Sequence, residues 1–222
     1  MATDATTTSP TSHQSEAHEL ANTITHGIGF LLSLLATVVV VSAARTSGTW
    51  TLVSGAAYGM TLMLVYALST LSHAVKEERM RDFFRAWDQG AIYFLIVGTY
   101  TPFVAVYLPP PLGGVIAAAI WSAAILGFYS KVIAKHRVNA LATWSYLLLG
   151  WVPAVFFIGR VPIEVIAGMA AGGVSYTVGV VFLKFDHLYG YFHAVWHVFV
   201  IAASAIHFYV IVAMVVPAAQ MR

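Results

Sequence analysis

Seven long apolar stretches divide the sequence, and they restrict the chain to one class of fold. Each is close to the ~20 residues that an α-helix needs to cross a bilayer, and lipid requires such segments to satisfy their own backbone hydrogen bonds. Only 9% of the 222 residues are charged, against about 25% in soluble domains. The sequence therefore predicts an all-α integral membrane protein, a seven-transmembrane-helix bundle. The predicted spans are 24–44, 51–75, 88–108, 112–130, 138–158, 163–183 and 189–216.

The rest of the composition narrows the domains and partners. Residues 1–15, rich in Thr, Ser and Ala, predict a disordered polar tail without a signal peptide, and residues 16–222 predict a single membrane domain. The formal net charge of +2 argues against nucleic acid as a partner. Because the chain has no cysteine, a metal ion would have to be held by His, Asp or Glu.

The basic residues indicate an orientation in the membrane. With seven spans, eight of the 11 Lys and Arg residues fall on one side and three on the other. The positive-inside rule places the first set in the cytoplasm, so the amino terminus is expected inside and the carboxyl terminus outside a bacterial plasma membrane. The eight are Lys76, Arg79, Arg81, Arg85, Lys131, Lys135, Arg137 and Lys184, and the three are Arg45, Arg160 and Arg222.

Two histidines open the last apolar stretch. His193 and His197 are four residues apart, so on a helix they share one face, with ~6 Å of axial rise between them. Ionisable side chains inside a membrane segment are costly, which marks the pair as a candidate functional site. Two histidines at this spacing can hold one metal ion, as on the helix of zinc proteases. From this stretch alone, hydrogen bonds to neighbouring helices are an equally good interpretation.

Polar residues on two other helices are expected at the same depth. His73 and Ser69 lie near the cytoplasmic end of the second span, and Asp88 lies at that end of the third. Three imidazoles and a water form a common catalytic zinc arrangement, so we expect Zn²⁺ on His73, His193 and His197, with Asp88 acting on the water. The simpler alternatives are a carboxylate stabilised by the helix dipole for Asp88 and a hydroxyl bonded to its own helix for Ser69.

Two further histidines are expected to have supporting roles. His26 lies at a suitable depth and is expected either to support the ligands or to bond to Glu19 or Asn22. His207 is ten residues beyond His197, ~15 Å along a helix, which is too far to share an ion. It is expected to be a hydrogen-bonded packing residue.

Together these motifs resemble the hemolysin III family, which belongs with the progestin and adiponectin receptors and more distantly with alkaline ceramidases. The resemblance covers the chain from about residue 16 to the end. It implies a seven-helix bundle with a cytoplasmic amino terminus, and zinc held by His73, His193 and His197, with Asp88 acting through a water. The matching motifs are Glu19-x-x-Asn22-x-x-Thr25-His26, Ser69-x-x-x-His73, Asp88-Gln89-Gly90 leading to Gly98-Thr99-Tyr100-Thr101-Pro102, and His193-x-x-x-His197.

Three functions are compatible with these features. The first is a zinc hydrolase in the cytoplasmic leaflet that acts on a lipid amide or ester, with Asp88 as general base and Ser69 holding the oxyanion or the water. The second is a non-enzymatic receptor or membrane-state sensor with a structural zinc. The third is a cytolytic protein, against which the absence of a secretion signal argues. In each case membrane lipids are the expected partners.

Overall fold

The computed structural model describes residues 10–134 and 139–221, and within these ranges the chain is helical, with no β-strand. Residues 1–9 of the predicted tail, the first residue of the fifth predicted span and Arg222 lie outside the described residues. The helices are α1 (Pro10–Ala44), α2 (Thr49–Ala74), α3 (Glu78–Tyr107), α4 (Leu112–Phe128), α5 (Asn139–Trp151), α6 (Ile163–Lys184), α7 (Phe192–Val210) and α8 (Val216–Gln220).

Six helical stretches among the described residues are long and apolar enough to cross a membrane. They confirm an all-α, multispanning architecture. In the region of the fifth predicted span there is a shorter apolar stretch, Thr143–Phe157, which ends in a 3₁₀ turn. The six are Glu16–Ala44, Thr49–Ala74, Glu78–Tyr107, Leu112–Ile133, Ile163–Lys184 and Phe192–Gln220.

The third helix begins ten residues before Asp88, so the prediction that Asp88 lies at its end is wrong. The carboxylate of Glu77 caps the helix by accepting the backbone N–H groups of Arg79 (3.0 Å) and Met80 (2.7 Å). The charged first turns hid this start because they lie outside the apolar stretch. Asp88 is therefore ~15 Å along the axis, beyond the reach of the helix-terminal dipole.

The end of the last span also differs from the prediction. The last predicted span stops at residue 216, directly before Pro217, but a π-helical turn at Ile211–Val215 is followed by α8. Proline is tolerated in the first turn of a helix because the N–H that it lacks has no intrahelical partner there. The last span therefore continues to Gln220.

Helices α2 and α3 are the most buried of the six apolar stretches, so they lie at the centre of the bundle. Several close helix crossings depend on glycine, and two of them illustrate this. A Cβ on Gly59 of α2 would meet Thr37 of α1, and a Cβ on Gly172 of α6 would meet the ring of His207 of α7. Helix α7 packs against both α6 and α1. This packing turns the histidine-bearing face of α7 towards α1 and the end of α2.

Candidate metal centre

Three histidines predicted to be ligands meet where the end of α2 faces the start of α7. One ring nitrogen from each of His73, His193 and His197 lies within 4.8 Å of the other two. The ring centroids are 5.0 Å apart for His73 and His193, 5.2 Å for His73 and His197, and 4.7 Å for the two on α7. Residues more than a hundred positions apart in the sequence thus form one group that can hold a metal ion.

His73 has one nitrogen engaged and one free. Its Nδ1 lies 2.7 Å from Oε2 of Glu19 on α1, and the other oxygen of Glu19 accepts a hydrogen bond from Arg85 at 3.1 Å. Nε2 of His73 is buried and has no hydrogen-bond partner among the described residues. A buried polar atom left unpaired is destabilising, so a lone pair held in this position fits a ligand for a metal.

The other two rings are oriented in the same way. Nδ1 of His193 lies 2.9 Å from Oδ2 of Asp186, and Nδ1 of His197 lies 3.1 Å from Oγ1 of Thr25. Because the Thr25 hydroxyl already donates to the carbonyl of Ala21, it accepts from the His197 N–H. Each ring therefore carries its proton on Nδ1 and keeps the lone pair of Nε2. Outer hydrogen bonds of this kind fix the tautomer and orientation of metal-binding histidines.

Asp88 lies beside the histidine group rather than in it. Among the described residues, the group with mutually close ligand atoms contains the three histidines and no carboxylate. Ser72 Oγ of α2 lies 3.5 Å from Oδ2 of Asp88, and the buried Ser69 is also within hydrogen-bonding reach of that carboxylate. His193 is close enough to Asp88 to interact with its charge. The catalytic roles expected of Asp88, as general base, and of Ser69, in holding the water or the oxyanion, stay predictions.

His26 makes neither of the hydrogen bonds considered for it. Its ring stacks on His197, with centroids 3.5 Å apart and planes at 18°, and it packs edge-on against Tyr66. Neither of its ring nitrogens has a hydrogen-bond partner within the described parts of the chain. Glu19, one of the two partners considered, is engaged by His73 and Arg85 instead. His26 therefore contacts the histidine group by ring stacking and not through a hydrogen bond.

His207 behaves as predicted. It is buried, and its Nε2 lies 3.2 Å from the carbonyl oxygen of Met169 on α6. It is not a member of the metal-binding group.

The carboxylate Asp186 was missed in the sequence. It lies in the loop that precedes α7, seven residues before His193, and it orients that ring. The only signal for it in the sequence was its position seven residues before His193, because helical spacing does not predict the path of a loop. Glu19 and Thr25 were visible in the sequence as motif members, but the sequence did not show that Glu19 orients His73 and Thr25 orients His197.

Comparison with known proteins gives the relationships of the chain. A family model described as haemolysin-III related matches residues 14–208. Hemolysin-3 of Bacillus cereus is 36% identical over 209 residues, which cover 91% of this chain and 94% of that protein. The hemolysin-3 homolog of Bacillus subtilis (strain 168) is 36% identical over 198 residues, 86% of this chain and 91% of that one. The human monocyte to macrophage differentiation factor is 30% identical over 167 residues, 73% and 70% of the two chains.

Proposed function

The chain belongs to the hemolysin III family within the progestin and adipoQ receptor superfamily, and we propose that it is a zinc-dependent hydrolase of a lipid amide or ester. The family and the six apolar helices make it an integral membrane protein. Its Bacillus relatives indicate the bacterial plasma membrane. Membrane lipids are the proposed partners and the source of the substrate.

The observation that carries the proposal is the common orientation of three imidazoles. His73, His193 and His197 each use Nδ1 for an outer oxygen, which leaves three Nε2 lone pairs for one ion. Three neutral nitrogen ligands without a thiolate suit zinc, and catalytic zinc sites commonly have three protein ligands. Zinc bound there supplies a Lewis acid for a substrate carbonyl and makes water more acidic.

Asp88 is the proposed general base. Hydroxyl groups of α2 approach its carboxylate from one side, and His193 lies close by. In this position Asp88 takes the proton of the attacking water, and Ser69 helps to hold the water or the developing oxyanion. Because the site lies between membrane helices near the end of α2, an amphipathic lipid is a better substrate than a soluble amide.

We also propose seven spans, with a cytoplasmic amino terminus and an outer carboxyl terminus. The 13 residues of α5 rise ~20 Å, and the 6 residues of its 3₁₀ continuation, Val152–Phe157, rise ~12 Å. Together they match the ~30 Å hydrocarbon core, so this segment is long enough to be the seventh span. In this topology residues 16–222 form the membrane domain, residues 1–15 form a polar tail, and the histidine group lies in the cytoplasmic leaflet.

One observation favours a second candidate, a receptor or membrane-state sensor with a structural zinc. The metal group joins α2 to α7, and through Glu19 and Thr25 it also includes α1. An ion there would hold three helices together without any turnover. The two candidates share the site and differ in the role of Asp88.

Hydrolysis by purified protein separates the two candidates. Zinc-loaded wild type in liposomes should release fatty acid from a panel of N-acyl amides and acyl esters, should lose this activity on chelation, and should regain it with zinc. Asp88→Asn keeps the size of the side chain but removes its basicity, so it should retain zinc and lose turnover. Absence of turnover in zinc-loaded wild type would favour the structural role, and full turnover in Asp88→Asn would remove Asp88 as the base.

A further inference from the structure

Two buried side chains on α1 have polar atoms without a hydrogen-bond partner among the described residues. Asn22 and His26 are 5% and 3% exposed, and neither Oδ1 of Asn22 nor either ring nitrogen of His26 has a hydrogen-bond partner in the part of the chain that the structure describes. The two residues are one helical turn apart and share a face of α1. Burial of three such atoms without a partner is unfavourable, which indicates that a bound molecule supplies the missing hydrogen bonds.

The pair lies directly beside the metal group. The His26 ring covers the ring of His197 at 3.5 Å, so a group bound by His26 is next to the ligands. A neutral imidazole offers one N–H donor and one acceptor nitrogen, and Oδ1 of Asn22 adds another acceptor. The complement of this set is a neutral head that both donates and accepts hydrogen bonds, such as an amide or a hydroxyl. A quaternary ammonium head has no N–H to donate.

An apolar groove begins where this polar pair ends. It has a volume of about 270 Å³ and lies between α1 and α7, from Gly29 to Val39 on α1, with Ile201, Ala205 and Phe208 on α7. Tyr66 joins the two regions, because it packs edge-on against His26 and also lines the groove. The groove extends ~15 Å along the axis of α1. Tyr66 thus lies between the buried polar pair and the apolar groove.

The groove faces the lipid. Leu32 and Leu35, which line it, are 49% and 66% exposed in a segment that is apolar enough to lie within the bilayer. A lipid chain therefore reaches the groove from the membrane, without crossing the bundle. Its volume is just below the roughly 300–1,000 Å³ of sites that enclose drug-sized molecules, which suits one chain.

We propose that Asn22 and His26 bind the neutral amide or hydroxyl head of a single-chain lipid whose acyl chain lies in the α1–α7 groove. This inference rests on the proposed hydrolase function for the identification of the bound lipid as substrate, with its carbonyl beside His197. Binding itself requires no turnover. The polar pair would select the head, and the groove would select the chain.

The test uses the full-length protein in liposomes and a long-chain fatty acid ethanolamide with a diazirine near the end of its chain. After irradiation, labelled peptides are mapped by mass spectrometry, and metal content and turnover are measured separately. A diazirine-bearing alkane of the same length reports passive contact with bilayer chains. His26→Phe keeps a ring to stack on His197, and Asn22→Leu keeps a similar volume.

Two alanines provide a matched pair for the groove. Ala205 and Ala170 are both exposed and helical, but Ala205 lines the α1–α7 groove, whereas Ala170 lines a second cavity between α3, α5 and α6. Ala205→Phe should reduce ethanolamide labelling of α1 and α7 peptides at least about fivefold, and Ala170→Phe should leave it unchanged. His26→Phe and Asn22→Leu should reduce labelling by the ethanolamide but not by the alkane, at wild-type metal content.

The contrary results are equally specific. Equal labelling of the wild-type groove by ethanolamide and alkane would reduce it to a lipid-facing surface and overturn the proposal. Labelling lost in Ala170→Phe and kept in Ala205→Phe would move the ligand to the other cavity and also overturn it. If His26→Phe loses metal or melts early, Asn22→Leu alone decides the role of the head. Retained labelling without turnover would contradict the hydrolase function and leave this binding site in place.

Discussion

Two buried histidines on α7 have very different surroundings. His197 lies among three other imidazoles, those of His26, His73 and His193, and its outer nitrogen is held by a threonine on another helix. His207, ten residues later, lies apart from this group: its Nε2 lies at hydrogen-bonding distance from a carbonyl of α6, and Gly172 leaves room for its ring. Both are apolar-helix histidines, so their residue type and burial do not distinguish a metal ligand from a packing residue.

The distinguishing property is what each Nε2 faces. In His207 this nitrogen is directed at a backbone carbonyl, so its N–H group is used in a hydrogen bond between helices. In His197 the proton is on Nδ1, and the Nε2 lone pair is left for a shared ion. The orientation of each ring is decided by residues of other helices. The nitrogen that a buried histidine keeps available for an ion is therefore specified by its outer partner as much as by its own position.

The largest expected effect is on metal content. His73→Ala, His193→Ala and His197→Ala should each reduce bound zinc from one equivalent per chain to almost none, because two imidazoles do not complete the shell. His207→Phe keeps a ring beside Tyr176 and should retain one equivalent. Elemental analysis of the purified variants measures this. Full zinc in His197→Ala, or its loss in His207→Phe, would reverse the assignment of the two histidines.

Chelation should produce the next largest effect. An ion that binds only the folded state stabilises it by about 4 kcal/mol at a thousand times its dissociation constant. Removal of zinc should therefore lower the melting temperature of wild type and of His207→Phe, and it should not change that of His197→Ala. Melting curves with and without chelator give the comparison. Identical curves for chelated and zinc-loaded wild type would make the three histidines packing residues.

The sequence predicted the grouping of the three histidines better than it predicted their surroundings. Apolar stretches of about 20 residues and the depth of His73, His193 and His197 follow from helical geometry, which repeats along the chain. The early start of α3 was missed because its first turns are charged and outside the apolar stretch. The Asp186 contact was missed because a loop determines it.

His26 shows the limit most clearly. Its closeness to the histidine group agrees with the prediction, but its contacts depend on the rotation of α1 about its own axis. Sequence periodicity identifies a face of a helix, and the neighbours of that face are decided by packing between helices. As a result the stacking on His197 was not foreseeable, whereas the shared neighbourhood was.

Replacement of the two carboxylates that orient the histidines, Glu19 and Asp186, should weaken zinc binding by intermediate amounts that differ between the two. Loss of such a partner typically weakens metal affinity ~10–100-fold. Glu19→Gln should lie at the upper end, because Glu19 holds the ring of His73, whose side chain is only 7% exposed. Asp186→Asn should lie at the lower end, because the His193 side chain is 26% exposed and water can replace the carboxylate. Competition with a zinc chelator of known affinity measures both, and a larger loss in Asp186→Asn would show that burial does not set the order.

The smallest effect on zinc content is expected from changes around Ser204, which lies two turns along α7 from His197. Its Oγ lies 3.0 Å from the hydroxyl of Tyr66 and 2.9 Å from that of Tyr176, so one side chain joins α2, α6 and α7 without any metal. Tyr66→Phe and Tyr176→Phe each remove one neutral hydrogen bond and should cost about 1 kcal/mol. Ser204→Ala should cost more than either, because it removes the partner of both tyrosine hydroxyls, and that of Tyr66 is buried. All three variants should keep one equivalent of zinc, since the histidine group is held by its own outer partners. A loss of zinc in Ser204→Ala would show that this polar junction and the metal group form one cooperative unit, and that the two regions of α7 are not independent.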